Sequence, residues 1–274
     1  MNHYPFKTKE ELMKYQEENP DFIIPISYDY IGRNILKRNK KLLTLIINNV
    51  LRINFKEDDI LVLDGRVEVN TLNEKQREAD VFVHVQNNYI NIELNRSERL
   101  SDTLNKKNMG YVADMLKRFG DGTIYQINLN TYDSVGLKQA IYVSQIMTKE
   151  GIVRYESLII YDVTIPILAK MCYTNNEIYE ERFLLLMRIF MLDSRKEIQE
   201  IIKDDPFLKE VYHMQERLNK EDFILEHFSD EEFHKQEKKE YLEIGREEGR
   251  EEGRKEGIKE GITKAEKKEF NKKP

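Results

Sequence analysis

The sequence predicts an α/β fold in which helices flank a mixed β-sheet and a helical extension and a charged tail follow. Apolar residues recur at helical spacing in residues 31–53 and 100–120. Residues 79–95 and 123–133 instead alternate apolar and polar side chains, which is typical of strands. The resulting order of helix, strands, helix, strands and further helices indicates a mixed sheet with helices on its faces.

The chain has 274 residues, enough for one main core with an appendage. We predict a sheet-containing domain over 1–175, a helical extension over 176–236 and a tail over 237–274. The tail repeats glycine every fourth residue between charges. Each interior glycine costs a helix about 0.8–1 kcal/mol, whereas a Glu–Lys pair returns about 0.2–0.5 kcal/mol. We therefore expect the tail to be solvated and partly helical, or to join copies of the chain through its glycine stripe. The apolar C-terminal helices should pack against the sheet domain or against another copy of the chain.

Composition excludes several classes of protein. Charged residues make up 34% and hydrophobic ones 40%, with no apolar stretch of membrane-spanning length and no leader pattern, so we expect a cytoplasmic protein with no membrane partner. The single cysteine, Cys172, forms no internal disulfide, and no Cys/His cluster has zinc-ligand spacing. A net charge of −6 argues against non-specific coating of nucleic acid but permits a local basic groove.

One such basic stretch is IGRNILKRNKK, residues 31–41, which contains no acid. It opens the first long helical pattern, which we expect to break near Asn39. Arg33, Lys37 and Arg38 are candidate contacts to a nucleic-acid backbone. The alternative is that they form the solvated face of a helix.

Residues 79–95, ADVFVHVQNNYINIELN, predict a β-hairpin with a tight turn at Gln86-Asn87. Its two strands share one buried face. The apolar residues of that face are Val81, Val83, Val85, Ile90, Ile92 and Leu94. This register sets Asp80 opposite Glu93 on the other face of the hairpin, and Asn95 follows Glu93 on that face.

Two carboxylates placed opposite each other destabilise a hairpin unless a positive charge lies between them. Mg²⁺ prefers hard oxygen ligands and commonly takes one or two carboxylates, so Asp80 and Glu93 are candidate ligands for Mg²⁺ or Mn²⁺. A metal so held can activate water and stabilise the charge that develops on phosphate during hydrolysis. The alternative is that both acids lie at a solvent-exposed sheet edge and discourage aggregation.

The motifs in this order resemble the PD-(D/E)xK nuclease superfamily, in particular its group of recombination-promoting nucleases and transposases. SYDYIGRNILKRNKKLLTLIINNVL resembles that group's opening helix, NIELN its Ile-Glu-x-Gln strand, KKNMGYVADML the helix after it, and YQINLN the next strand. The Gly-Lys-Glu tail repeat is also common in these proteins. The resemblance covers residues 25–175 and the tail. It implies a restriction-endonuclease-like fold and a magnesium-dependent endonuclease that cleaves DNA.

By this resemblance Asp80 and Glu93 are the catalytic metal ligands. Asn95 stands where the group has lysine or glutamine, the residue that positions the attacking water or the scissile phosphate. Asp29 is similar to the acid of the group's opening helix. Glu68 is a candidate extra acid near the metal, and the alternative is a surface residue of an edge strand. Lys107 is a candidate phosphate contact that faces the site, and the alternative is a solvated side chain. Asparagine is shorter than glutamine and lacks the charge of lysine, so the alternative function is a catalytically inactive nuclease-fold module that binds DNA or protein.

Overall fold

The computed structural model describes residues 9–63, 81–96, 101–119, 121–171, 178–203, 205–220, 250 and 254. The chain divides into two compact units, Met1–Phe228 and Ser229–Pro274. In the second unit the described residues are Arg250 and Arg254, both helical. The first unit is a mixed α/β structure with a six-stranded sheet flanked by helices, as the sequence predicts.

The helices of the first unit have the following bounds: α1 Lys9–Glu18, α2 Asp29–Arg38, α3 Lys40–Leu51, α4 Ser101–Arg118, α5 Ile165–Leu168, α6 Glu181–Met191, α7 Arg195–Ile202 and α8 Pro206–Lys220. The strands are β1 Leu61–Leu63, β2 Val81–Val85, β3 Asn88–Asn95, β4 Thr123–Asn130, β5 Ile141–Gln145 and β6 Leu158–Thr164. Among the described residues, no helix combines the length and the apolar character needed to cross a bilayer.

The strands lie in the order β1-β2-β3-β4-β6-β5. The first three form an antiparallel meander, and β4 then runs parallel to both of its neighbours, β3 and β6. Strand β5 closes the sheet antiparallel to β6. The carboxyl ends of β3, β4 and β6 therefore meet at one edge of the sheet, which is where ligands bind in many α/β proteins.

The hairpin of β2 and β3 has the predicted register. Val81 pairs with Ile92, and Val85 pairs with Asn88 across the two-residue turn. Gln86 has φ 53°, the left-handed conformation that favoured two-residue hairpin turns adopt at their first central position. All six apolar residues predicted for the shared face are buried, so the alternation of side chains determined the register correctly.

The predicted long helix breaks at Asn39, as expected. Asn39 ends α2 and caps α3, because its Oδ1 accepts the N–H of Leu42 at 2.9 Å.

The buried face of the hairpin is covered by α2. This helix lies directly against β3. A Cβ at Gly32 would lie 2.5 Å from Leu94 Cδ1 and 2.4 Å from the Ile26 carbonyl oxygen, so this close approach requires glycine.

Helix α4 covers the apolar half of the opposite face of the sheet. One core cluster joins residues of α4 to residues of three strands. Its buried members are Phe82, Tyr111, Val112, Met115, Ile124 and Leu158. The cluster ends where the side chains of β3, β4 and β6 become polar, towards the carboxyl ends of these strands.

The C-terminal helices pack on N-terminal residues within the first unit. The Ile24 N–H donates to Asn219 Oδ1 at 2.8 Å, and Gln215 Nε2 donates to the Ile24 carbonyl at 2.9 Å. The N–H of Ser27 donates to the carbonyl of Phe190 at 3.0 Å. The backbone of the segment before α2 therefore finds its hydrogen-bond partners on α6 and α8.

Candidate functional site

Polar side chains line one face of the three central strands near their carboxyl ends. The registers set Glu93 beside Asn128 and Asn128 beside Asp162, and they set Asn95 beside Asn130. The polar face, as we call this set, consists of Asn91, Glu93, Asn95, Gln126, Asn128, Asn130, Asp162 and Thr164. Each of these residues is between 0 and 7% exposed. Buried polar groups at this density must satisfy one another or bind a ligand.

A chain of amide side chains joins Glu93 to Asp162 across the sheet. Asn91 Nδ2 donates to Glu93 Oε1 at 3.2 Å and to Gln126 Oε1 at 2.9 Å. Gln126 Nε2 then donates to Asn128 Oδ1 at 3.0 Å, and Asn128 Nδ2 donates to Asp162 Oδ1 at 3.0 Å. Every amide in this chain therefore directs its N–H₂ group towards one of the two carboxylates or towards the next amide oxygen.

A second, shorter chain starts at Asn95. Its Nδ2 donates to Asn130 Oδ1 at 3.0 Å. Asn130 Nδ2 donates to Asp162 Oδ1 at 3.3 Å and to Ser134 Oγ at 3.2 Å. Both chains thus end on the same oxygen of Asp162. The structure brings the predicted residues Glu93 and Asn95 together with an acid that the sequence analysis missed.

Burial raises the pKa of Asp162, because a carboxylate loses favourable solvation inside the protein. The N–H groups of Asn128 and Asn130 act in the opposite direction, since they stabilise the ionised form. The acid therefore carries a solvation cost that hydrogen bonds only partly offset.

We expect the stability of the Asp162→Asn variant, relative to the parent, to rise with pH. Between the unfolded-state and folded-state pKa values the folded parent binds more protons than the unfolded chain, so its stability falls as pH rises through the folded-state pKa. Asparagine does not ionise at this position. Urea denaturation of both proteins at acidic and neutral pH measures the difference.

The exposed Asp58→Asn variant is the matched control, because it makes the same substitution away from the polar face. A difference between parent and Asp162→Asn that stays constant from acidic to neutral pH would contradict the expected linkage.

Two of the predicted acids, Asp80 and Glu68, lie outside the described residues, so the cross-strand pairing of Asp80 with Glu93 stays a prediction. Among the residues that the structure describes, no group of three or more His, Cys, Asp or Glu side chains is placed to hold a metal ion. The edge-strand alternative is wrong for Glu93. Its strand is paired on both sides, and its side chain is 1% exposed.

Of the predicted accessory residues, Asp29 is the first residue of α2 and Lys107 lies within α4. The structure describes neither side chain. The amino end of α2 is nevertheless close to the end of β3. The guanidinium of Arg96 stacks over the Tyr28 ring, with 4.9 Å between Cζ and the ring centroid. Arg96 follows Asn95 directly and is a basic residue at the end of β3, on the side of α2, that the sequence analysis did not single out.

The predicted DNA contacts Arg33, Lys37 and Arg38 lie on α2, which packs against the sheet face opposite the polar face. Arg33 and Lys37 are half-buried, whereas Arg38 is exposed at the far end of the helix from Tyr28. Arg38 lines a cleft together with ionisable side chains of α8. These are Lys209, Glu210, His213 and Arg217. The structure therefore groups Arg38 with a basic part of α8 and separates it from Glu93.

Comparison of the chain with models of protein families, with curated proteins and with solved structures finds no match in any of the three. Membership of the PD-(D/E)xK superfamily therefore stays a prediction from the sequence motifs. The polar face and the hairpin register are the observations from which a function can be inferred.

Proposed function

We propose that this protein is a metal-dependent DNA endonuclease in which Glu93 is a metal ligand. The observation that carries the proposal is the position of Glu93, a buried carboxylate on a central strand beside the meeting carboxyl ends of three parallel strands. The order of hairpin β2-β3, helix α4 and parallel strand β4 also supports the restriction-endonuclease-like arrangement that the motifs imply.

The chemistry of the polar face fits a hard divalent cation such as Mg²⁺ or Mn²⁺. Its acceptors are carboxylate and amide oxygens, which are the ligands that such cations prefer. The Oδ1 atom of Asn91 is buried and accepts no hydrogen bond from the described part of the chain. An oxygen in that state is costly to bury unless a water or a ligand contacts it, so its presence beside Glu93 favours a bound species.

In the proposed reaction Asp80 and Glu93 hold the cation, and the Nδ2 group of Asn91 orients the Glu93 carboxylate. A cation bound there would supply Lewis acidity and an activated water for hydrolysis of the phosphodiester bond. Asn95 lies two residues from Glu93 on the same face of β3, where its amide can hydrogen-bond the attacking water. Arg96 follows it and can contact a phosphate of the backbone.

Incubation of the purified full chain with supercoiled plasmid and Mg²⁺ or Mn²⁺ tests this function. We expect nicked or linear plasmid in the presence of metal, no cleavage with EDTA, and no cleavage by Asp80→Ala prepared identically. The Asp58→Ala variant is the control, because it removes an acid from an exposed site. Equal cleavage by Asp80→Ala and the parent, or no cleavage by the parent, refutes the assignment.

One observation favours a second function. Asn95 is 5% exposed and donates its Nδ2 hydrogen to Asn130, so it is held within the sheet by a neighbouring strand. A nuclease-fold module that binds DNA or protein without cleaving it is consistent with this arrangement. Calorimetric titration separates the two: metal binding together with plasmid cleavage supports the nuclease, whereas DNA binding without metal affinity or cleavage supports the module.

Two expectations from the sequence stay proposals beside this function: association of copies through the C-terminal helices or the tail, and a cytoplasmic location. Light scattering of the full chain and of a chain ending at residue 236 measures the contribution of the tail. A mass that falls from an oligomer to a monomer on truncation supports association through the tail.

A further inference from the structure

Asp162 is the common end of both amide chains on the polar face. Asn128 and Asn130 each donate an N–H to its Oδ1 atom, at 3.0 and 3.3 Å. An ionised carboxylate has only acceptors, so any amide that hydrogen-bonds to it must present its N–H₂ group. The two donors on one oxygen favour the ionised form and so act against burial, which raises the pKa of Asp162.

The orientation imposed at Asp162 passes from one amide to the next. Because Asn130 gives its Nδ2 to Asp162, its Oδ1 faces Asn95 and accepts from Asn95 Nδ2 at 3.0 Å. The oxygen and nitrogen of an amide lie on opposite branches of a planar group. With Nδ2 of Asn95 directed at Asn130, its Oδ1 is directed to the other side.

We propose that Asp162 is a positioning residue that acts through Asn130 to orient the Asn95 amide, so that position 95 offers a carbonyl oxygen to the candidate site. A lysine at this position can only donate hydrogen bonds, whereas an amide oxygen accepts them. An oriented oxygen beside Glu93 adds a hard acceptor for a divalent cation or for the protons of the attacking water. This role of the Asn95 oxygen rests on the proposed nuclease function, whereas the orientation of the amide does not depend on it.

The longer chain of amides, from Asp162 to Asn91, has the same polarity and supplies an internal comparison. It runs from Asp162 through Asn128 and Gln126 to Asn91, which donates to Glu93 Oε1. Its amides contact neither Asn95 nor Asn130 in the hydrogen bonds that define it. A carboxylate moved into this chain would therefore retain the negative charge of the polar face without restoring the acceptor that faces Asn130.

Three variants of the full chain separate orientation from charge. Asp162→Asn removes the group that can only accept. Asn130→Asp combined with Asp162→Asn moves the carboxylate beside Asn95, where it can accept from Asn95 Nδ2 directly. Asn128→Asp combined with Asp162→Asn is the matched control, because it has the same net charge and places the carboxylate in the other chain.

Nuclear magnetic resonance of chains labelled with ¹⁵N-asparagine reads the orientation without any metal. We expect the Asn95 side-chain amide resonances to shift in Asp162→Asn and their hydrogens to exchange with D₂O faster than in the parent. Slow exchange should return in the Asn130→Asp double variant and not in the Asn128→Asp double variant. Unchanged Asn95 resonances and exchange in Asp162→Asn would overturn the proposal.

Calorimetric titration of the same proteins with Mn²⁺ measures how this orientation affects the affinity for the metal. Loss of a group that orients a neighbour of the metal typically lowers affinity about 10–100-fold, and we expect that loss in Asp162→Asn. The Asn130→Asp double variant should recover the affinity, whereas the Asn128→Asp double variant should not. Equal recovery in both double variants would show that only charge matters and would overturn the positioning role.

The two experiments also keep the failure of this inference apart from failure of the proposed function. If the parent binds no Mn²⁺ and cleaves no plasmid while the resonances behave as expected, the nuclease assignment fails and the orienting role of Asp162 stands. If the parent binds Mn²⁺ and cleaves plasmid while the Asn95 resonances and their exchange are unchanged in Asp162→Asn, the nuclease assignment stands and the orienting role fails.

Discussion

Glu93→Gln is expected to abolish metal-dependent cleavage of plasmid while leaving the fold intact. Glutamine has the shape of glutamate and retains an oxygen that can accept from Asn91 Nδ2, so the free energy of unfolding should change by less than about 1 kcal/mol. It lacks the negative charge that a divalent cation requires. We expect the cleavage rate to fall at least about 100-fold, equivalent to about 2.7 kcal/mol of transition-state stabilisation.

The matched control for this change is Glu200→Gln, which removes one negative charge from an exposed site on α7. Its cleavage rate and its Mn²⁺ affinity should equal those of the parent. Single-turnover cleavage, calorimetric titration with Mn²⁺ and urea denaturation are measured on all three proteins. Cleavage by Glu93→Gln at the parent's rate would remove Glu93 from the reaction.

Asn219→Ala is expected to lower the free energy of unfolding by about 3 kcal/mol. Asn219 accepts the buried N–H of Ile24 at 2.8 Å and donates to the Ile24 carbonyl at 3.3 Å. The substitution leaves this N–H without its acceptor, which costs about 1–3 kcal/mol, and also removes the second hydrogen bond. Gln215 still donates to the same carbonyl. Urea denaturation measures the loss, and the melting temperature should fall by about 6–12 °C.

The control for this substitution is Asn19→Ala, which removes an exposed asparagine that follows α1 and whose Nδ2 donates to the carbonyl of Tyr15 on that helix. A change of less than about 0.5 kcal/mol is expected there. Equal and small effects of the two substitutions would mean that α8 adds little to the stability of the residues before α2.

The hairpin was predictable because its register depends only on local sequence. Alternating valines on one strand and isoleucines on the other leave one pairing that buries both sets, and a two-residue turn completes it. The break between α2 and α3 was predictable for a similar reason. Asn39 interrupts the apolar period and is a favoured N-cap residue. In both cases the residues that decide the structure are close together in the sequence.

The polar face was missed although the sequence contains a signal for it. INIELN and YQINLN both alternate amide or acidic side chains with apolar ones, whereas a central parallel strand covered on both faces is usually apolar throughout. Two such strands indicate a shared polar layer. Asp162 carried no comparable signal, because its place beside Asn128 depends on the strand order, in which β6 lies between β4 and β5.

The hydrogen bonds between Ile24 and Asn219 have a consequence for the biosynthesis of the protein. The two residues are 195 positions apart, so the ribosome completes the partner of Ile24 only long after Ile24 has emerged. At about 5–20 residues per second this interval is about 10–40 s. Throughout it, the backbone of Ile24 lacks its partners on α8, and a chain truncated before α8 never acquires the hydrogen bonds of Ile24 with Asn219 and Gln215.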